Sequence, residues 1–594
     1  MNKANWILKD NEIFSLDFND FYYNTKEPLK ERYGVYVNNA FSNIKDTLTI
    51  LEFGFGLGLN FLLSAKLAKE KGIKLYYVSI ENYYHNIKDL IFFAKKFNLN
   101  FDDDFIKYYP PCKNGIYRIS YENITIDLVF LDINDALDNL DLKADIIYAD
   151  GFSPKKNNDM FSYVNLEKLT KLLKPNAKLL SYSSNSNFKN ALKTLGFSIE
   201  NINLGIKRES TLAIYNDTKI TAQQDGYFAK TPLKAKKIAI VGGGVASACL
   251  AYELSKFDYE ISVFERHNTL ANEGSGNKIG LLTMLIQNPQ SLLGQFSEFS
   301  FWHSSNLYKN LGIELNGVLE HAFNDELKRR FVMQKDNPFL KFYNDFAFLK
   351  DGGALEPYKL VPYIFSLSKA KVYLNHELLS FNENENSVIL NFNDKSQEFD
   401  IVIFATGVNN FFKHLTLSSQ RGQVTWLKSD YKLKHSVSSK AYLTIAKNGV
   451  MVLGATYDRN LIAPAHPSYD LININNYKSV FSKDLSHLII GNRVGYRCYS
   501  SDRFPIVGAI RTDDYYINTY KNLQFTKTKP QEIPEKSRIF ISTAHGSRGL
   551  ATSLTSARLI VSNIKGIPSG MLKSYEQALH PARFIIRKLK KGLS

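Results

Sequence analysis

Two residues of this chain stand where their type and surroundings could do chemistry. Asp150 follows the apolar run 145–149 and precedes Gly151-Phe152-Ser153-Pro154. A carboxylate at a strand end can accept a proton from an amine or orient its lone pair. An aspartate that only caps the Pro154 turn would read the same way. Arg497 lies in Gly495-Tyr496-Arg497-Cys498-Tyr499-Ser500-Ser501-Asp502-Arg503. Its planar guanidinium suits bidentate pairing with a carboxylate, whereas Asp502 could instead neutralise Arg497 or Arg503 as a structural pair.

Two glycine-rich elements must position these residues. In the second half, an apolar strand through Val241 runs into Gly242-Gly243-Gly244. A helix through Leu254 follows, then a strand 261–264 that closes on Glu265. This order is that of a dinucleotide-binding βαβ unit. Gly242 permits the turn, Gly244 lets backbone N–H groups approach a pyrophosphate at the helix N-terminus, and Glu265 is placed to accept hydrogen bonds from a ribose. Ser247 holds the slot where a third glycine would stand.

In the first half, the strand 48–51 leads into Glu52-Phe53-Gly54-Phe55-Gly56-Leu57-Gly58 and a helix from Leu59. Strands 74–80, 126–131 and 145–149 end at Glu81, Asp132 and Asp150, and a fifth strand, 177–182, follows a turn at Lys174-Pro175-Asn176. Alternating strands and helices predict a parallel doubly wound sheet with its ligands at the carboxyl ends of the strands. A second NAD site is one reading. The other is that glycines at alternate positions, with an acid ending the next strand, resemble class I S-adenosylmethionine methyltransferases. That resemblance implies Gly54, Gly56 and Gly58 around the methionine part of the ligand, Glu81 on the ribose hydroxyls and Asp132 near the adenine.

The loop from Tyr148 to Met160 resembles the D-x-F-x-P-x-K-N-x-x-M loop in the methyltransferase half of the MnmC family. These are bifunctional enzymes that complete the methylaminomethyl-2-thiouridine side chain at the tRNA wobble base. Phe53 to Phe61 is similar to that family's Gly-rich loop, and Lys207-Arg208-Glu209 to its K-R-E segment. The resemblance gives Asp150 the role of catalytic acid/base. Gly274-Ser275-Gly276-Asn277-Lys278-Ile279-Gly280 is similar to the S-G-N-x-x-G segment of the family's oxidase half and favours FAD over NAD. Ala405-Thr406-Gly407, Arg421-Gly422-Gln423-Val424 at the start of a substrate-sheet strand, and Ala544-His545-Gly546-Ser547-Arg548-Gly549 before a helix at 551–564 follow in the order of the D-amino-acid-oxidase-like superfamily. By this likeness Ser275, Gly276, Asn277, Gly407, Gly546, Arg548 and Gly549 join Gly242, Gly244 and Glu265 around FAD. Arg548 at a helix N-terminus would stabilise negative charge on the flavin, and Arg497 would anchor the substrate carboxylate. Ser153, Ser247 and His545 depart from the family pattern without removing a reacting group.

The implied fold class is α/β. A class I (Rossmann-like) methyltransferase over residues 1–220 is joined by a linker at 221–236 to a D-amino-acid-oxidase-like FAD-binding fold with an antiparallel substrate sheet over 237–594. The implied function is FAD-dependent removal of a carboxymethyl group from the wobble side chain, then methylation of the freed amine. The rivals are a fused amine oxidase and N-methyltransferase acting on free amino acids or peptides, and a catalytically dead flavoprotein that binds RNA.

Composition sets the bounds. A net charge of +16 favours an anionic partner or reflects a lysine-rich composition. The expected partner is the tRNA anticodon stem-loop. The basic end, Arg583, Arg587, Lys588, Lys590 and Lys591, suits a helix on an RNA backbone or a solvated end-helix. Residues 512–536 read as an inserted loop, and 6–36 as a lead-in of little content. Three isolated cysteines and scattered histidines predict no metal and a reducing cytoplasm. The absence of an 18-residue apolar run predicts no membrane span. A monomer is expected.

Overall fold

The computed structural model describes every residue except 24–25, 154–155, 158, 203–208, 217–225, 413, 460, 527–528, 530 and 594. Pro154, Lys155 and Asn158 of the Asp150 loop, and Lys207 and Arg208 of the K-R-E segment, therefore lie outside the described residues. The chain forms two compact units: Met1–Gln223 with Gly566–Lys573, and Gln224–Lys565 with Ser574–Ser594.

The first unit is built on an eight-stranded sheet. Its strands are β1 (Thr47–Phe53), β2 (Lys74–Ile80), β3 (Gly115–Tyr121), β4 (Ile124–Phe130), β5 (Ala144–Ala149), β6 (Leu173–Ser181), β7 (Phe197–Ile202) and β8 (Ser210–Tyr215), in the order β7-β8-β6-β5-β1-β2-β4-β3. The central strands are parallel and almost wholly buried, as continuous apolar runs require when both faces are covered. The sheet is mixed rather than purely parallel. β3 returns against β4 through a two-residue turn at Glu122-Asn123, with Glu122 at φ +45°, and β8 runs antiparallel to both β6 and β7. Lys174-Pro175-Asn176 does not precede β6 but lies inside it. The ladder to β5 shifts register there, which accommodates the N–H that proline lacks. Gly54, at φ +85°, ends β1 so close to the next strand that a Cβ would lie 2.7 Å from the Asp150 carbonyl oxygen. Only glycine brings the two strand ends together in this way.

The second unit carries a six-stranded sheet: β9 (Lys237–Val241), β10 (Glu260–Phe264), β11 (Lys371–Tyr373), β12 (Ile401–Phe404), β15 (Ile506–Ala509) and β16 (Ile539–Thr543), ordered β11-β10-β9-β12-β16-β15. Only β15 runs antiparallel to its neighbour. Beside it stands a nine-stranded, largely antiparallel sheet centred on β13 (Ser418–Lys428) and β14 (Ile489–Tyr499), which pair along most of their length.

One expectation fails here and one is narrowed. Residues 512–536 are not a structureless insertion. Thr512 caps a helix Asp513–Tyr520, and a short helix Leu523–Thr526 follows. Tyr516 and Tyr520, four apart on one helix face, bury together with Leu523 of the next helix against Ile585, Ile586 and Leu589. The basic end does form a helix, Arg583–Leu589, but not a fully solvated one: that apolar cluster seats it, and Arg583 is buried in an ion pair with Asp502.

Candidate active sites

In the first unit, a cavity of about 760 Å³ opens at the carboxyl ends of β1, β2, β4 and β5. Gly54, Gly56, Glu81, Asp132 and Asp150 line it. Gly58 does not. It starts the helix Leu59–Lys71 in a left-handed conformation and packs against Phe55 and Phe101. Glu81 accepts the backbone N–H of Gly56 at 2.8 Å and of Tyr83 at 2.7 Å, and burial raises its pKa against those bonds. Asp132 also caps the helix Ile133–Asn139 through the N–H of Asn134 at 2.9 Å.

Asp150 is held by three donors. Tyr36 Oη donates to its Oδ1 at 2.9 Å, Asn60 Nδ2 to its Oδ2 at 2.9 Å, and Arg32 Nη1 forms an ion pair with the same Oδ2. Burial pulls Arg32 down, but the Asp150 carboxylate outweighs it and holds the guanidinium above its ordinary range, firmly charged. Burial, with the Asp150 charge, likewise keeps the Tyr36 phenol protonated and a donor. Tyr36 Oη in turn accepts the N–H of Tyr182 at 3.2 Å. The Arg32 guanidinium lies 5.4 Å from each of the Tyr23 and Tyr36 ring centres. Arg32 ends the helix Pro28–Arg32, which continues as the π-helical turn Tyr33–Val37. The wider turn brings both donors to one carboxylate, a recurrent use of π-bulges at functional sites. Asn60 Nδ2 also reaches Glu52 Oε1 at 3.0 Å, and Ser79 Oγ reaches Glu52 Oε2 at 2.7 Å. Burial pushes Glu52 up to about 8, with the Asp150 charge adding to it and these donors opposing. Phe152, stacked 4.4 Å from Phe18 and edge-on to Tyr22 at 5.1 Å, forms an aromatic wall. The lead-in 6–36 thus supplies Arg32, Tyr22, Tyr23 and Tyr36 to the site, which its polar composition does not announce.

In the second unit a cavity of about 490 Å³ is lined by Gly242, Gly244, Glu265, Ser275, Asn277, Gly407, Arg497, Gly546, Arg548 and Gly549. Gly242 sits at φ +113°, and a Cβ there would lie 2.5 Å from the Ala405 carbonyl oxygen. Glu265 accepts the N–H of Gly243 at 2.6 Å and of His267 at 2.9 Å, and Ser275 Oγ accepts that of Val245 at 3.1 Å. Gly276 does not line the cavity. Its missing side chain makes room for Arg493, which donates to Asn277 Oδ1 at 3.1 Å and to the carbonyl oxygens of Asn272 and Glu273. Ser247 is fully buried between helix and sheet, where the third glycine would stand, and its Oγ has no partner. These features, a strand-turn-helix cradle with an acid beside it, fit an adenine dinucleotide; Gly54, Gly56 and Glu81 fit S-adenosylmethionine in the same manner.

Arg497 projects from β14. Its guanidinium lies 4.9 Å from the Tyr457 ring centre, and its buried Nη1 has no hydrogen-bond partner. Asp502 does not neutralise it: that carboxylate takes Arg583 Nε and Nη2 at 2.9 Å each, with Arg587 at 3.7 Å. Glu320, on the strand Val318–His321, lines the same cavity and was not foreseen. Burial pushes it up to about 7, against Ser438, Thr283 and the charge of Arg548. Burial also lowers Arg548 and sets His545 at about 4, so His545 is neutral near pH 7.

The two sites and their folds define a methyltransferase joined to a flavin-dependent oxidoreductase. Family models described as S-adenosyl-L-methionine-dependent methyltransferase and FAD dependent oxidoreductase match residues 99–216 and 237–562. The chain belongs to the MnmC family. The tRNA 5-methylaminomethyl-2-thiouridine biosynthesis bifunctional proteins MnmC of Campylobacter jejuni and Campylobacter concisus are 40% and 35% identical to it, each alignment covering 100% of both chains. The glycine oxidase of Geobacillus kaustophilus superposes with a TM-score of 0.45 at 17% identity, covering 55% of this chain and 95% of that one. Among the described residues no helix is long and apolar enough to cross a membrane, and no group of three or more His, Cys, Asp or Glu is placed to hold a metal ion.

Proposed function

We propose that the second unit removes the carboxymethyl group from 5-carboxymethylaminomethyl-(2-thio)uridine at the wobble position of tRNA. The first unit then methylates the aminomethyl group so formed. Gly242, Gly244, Glu265, Ser275, Gly407, Gly546 and Gly549 would hold FAD, which when bound would supply a hydride acceptor, and Gly54, Gly56, Glu81 and Asp132 would hold S-adenosylmethionine, which would supply an electrophilic methyl group. Arg497 pairs with the side chain's carboxylate and so directs the adjacent N–CH2 bond into the cavity. Loss of hydride and a proton from that bond leaves a substrate imine, and water splits it into the primary amine and glyoxylate. Glu320, poised near neutrality, is the acceptor available for the amine proton.

The primary amine then enters the first cavity. Asp150, already bonded to Arg32, Tyr36 and Asn60, is a fixed hydrogen-bond acceptor. It orients the amine by one N–H so that the lone pair points at the methyl group. The phenyl ring of Phe152 offers a face on which the uridine can stack once it is splayed from its loop.

The observation that carries the reading is the unpartnered, partly buried Arg497 in a dinucleotide-type cavity, on a chain whose full length matches the MnmC family. The domain limits 1–220 and 237–594, a monomeric state, the anticodon stem-loop as partner and a cytoplasmic setting belong to the same proposal. Nucleoside analysis of tRNA from cells lacking this protein tests it. The carboxymethylaminomethyl nucleoside should accumulate there, and adding the protein back should restore the methylaminomethyl form. Unaltered tRNA in both would overturn the proposal.

A further inference from the structure

A third cavity, of about 560 Å³, adjoins the flavin cavity in the second unit and shares His545, Gly546, Ser547 and Arg548 with it. Arg459, Arg503 and Arg548 line it together with the hydroxyl side chains of Ser419, Ser501 and Ser547, and its lining includes no aspartate or glutamate. Arg459 and Arg503 form no ion pair with any described residue. The one carboxylate next to Arg503 in sequence, Asp502, is taken by Arg583 and Arg587. Arg503 sits in a left-handed backbone conformation at φ +67°, unusual for a non-glycine residue, with its N–H on the Ser500 carbonyl oxygen at 3.2 Å. Its side chain is exposed, and its charge acts unfavourably on the buried guanidinium of Arg548. Arg459 and Arg503, without an ion-pair partner among the described residues, line the cavity with hydroxyl groups and with Arg548, whose charge Glu320 faces from the flavin cavity, and such a lining suits an oxyanion. Since His545 is neutral near pH 7, the cationic groups of the lining are its arginines.

We propose that this cavity binds a backbone phosphate of the RNA substrate beside the nucleotide whose side chain enters the flavin cavity. Arg459 and Arg503 would be the principal contacts, and the Ser547 hydroxyl would lie at the opening between the two cavities. This deepens the reading of the flavin unit as an enzyme on tRNA and rests on it. Phosphate contacts fix register without reading sequence, so the pocket would act as a positioning device: it would set which nucleotide reaches Arg497 and leave the oxidation itself unchanged.

The test is the double substitution Arg459→Gln/Arg503→Asn in the full chain, with asparagine chosen because it tolerates the left-handed backbone. Two substrates are compared: tRNA from cells lacking this protein, and the free nucleoside 5-carboxymethylaminomethyl-2-thiouridine, which carries no phosphate. The expected result is a KM for tRNA raised roughly 10- to 100-fold, with kcat and nucleoside oxidation within about twofold. The slope of log binding constant against log salt should shrink by about two, and Arg459→Lys/Arg503→Lys should recover part of the affinity. An unchanged tRNA KM in flavin-loaded protein would overturn the proposal, as would equal losses on tRNA and nucleoside. Inorganic phosphate competing with the nucleoside in the wild type, with the tRNA KM unmoved in the variant, would assign the cavity to free phosphate and overturn the RNA assignment. A wild type that oxidises no tRNA at all would instead sink the functional reading on which this inference rests.

Discussion

The carboxylate of Asp150 and the guanidinium of Arg497 each stand in the cavity of a glycine-rich cradle, yet their surroundings differ in kind. Asp150 is compensated from within the protein: an arginine, a tyrosine and an asparagine already satisfy it. Arg497 keeps a buried N–H with no partner and only an aromatic face beside it. On the proposed roles, the difference follows from what each group would meet. A neutral amine needs an acceptor already fixed in place, and a carboxylate held in its own hydrogen-bond network pays no further ordering cost when the amine arrives. A carboxylated side chain brings its own charge, so the cation that receives it is best left unpaired until then. On those roles, a preorganised acceptor and an unpaired cation each match the charge of the group they would receive.

The sharpest break of this comparison is Asp150→Asn. It should lower methyl transfer by about 10³-fold while FAD-dependent oxidation persists, measured as labelled methyl incorporation against glyoxylate release. Loss of both in a folded variant would undo the two-site account. Next is Arg497→Ala, expected to cut kcat/KM for oxidation by roughly 10²–10³-fold and to spare methyl transfer to tRNA already bearing the aminomethyl group. Unchanged oxidation kinetics would remove Arg497 from the site. Tyr36→Phe takes one donor from Asp150 while Arg32 and Asn60 remain, and a roughly tenfold fall in methylation is expected. A fall as large as that of Asp150→Asn would mean that Tyr36 acts directly on the substrate.

The smallest effect is on stability. Burial raises the Glu52 carboxyl from 4.5 to about 8 in the folded state, so its contribution is fully present below pH 4.5 and is lost as pH rises toward 8. Glu52→Gln keeps the shape without the titration. Its melting temperature should exceed that of the wild type by a margin that grows between pH 4.5 and 8, followed by calorimetry; a constant margin would mean that Glu52 does not carry the pH dependence.

Much of this was legible in the chain. The strand-end acids and both glycine turns announce themselves because their spacing is dictated by the backbone, and Glu81, Asp132, Asp150 and Glu265 all stand where a βαβ reading places them. The partners of Asp150 were not legible. Arg32 and Tyr36 reach it through a π-helical turn in a polar segment with no apolar period, and only tertiary packing brings residues over a hundred positions apart to one oxygen pair. The helix Asp513–Tyr520 was missed because its buried face is made of tyrosines, which read as polar in composition yet bury like aromatics. A small residue such as Gly276 signals a close approach without saying to what, and here the approach is to Arg493.

The central claim is that two independent sites act in sequence on one uridine, and nucleoside analysis of tRNA treated with the two variants in the presence of FAD and S-adenosylmethionine tests it most directly. Asp150→Asn should halt at the aminomethyl nucleoside, and Arg497→Ala at the carboxymethylaminomethyl nucleoside. A methylated nucleoside formed by Asp150→Asn, or an identical block in both variants, would contradict the account.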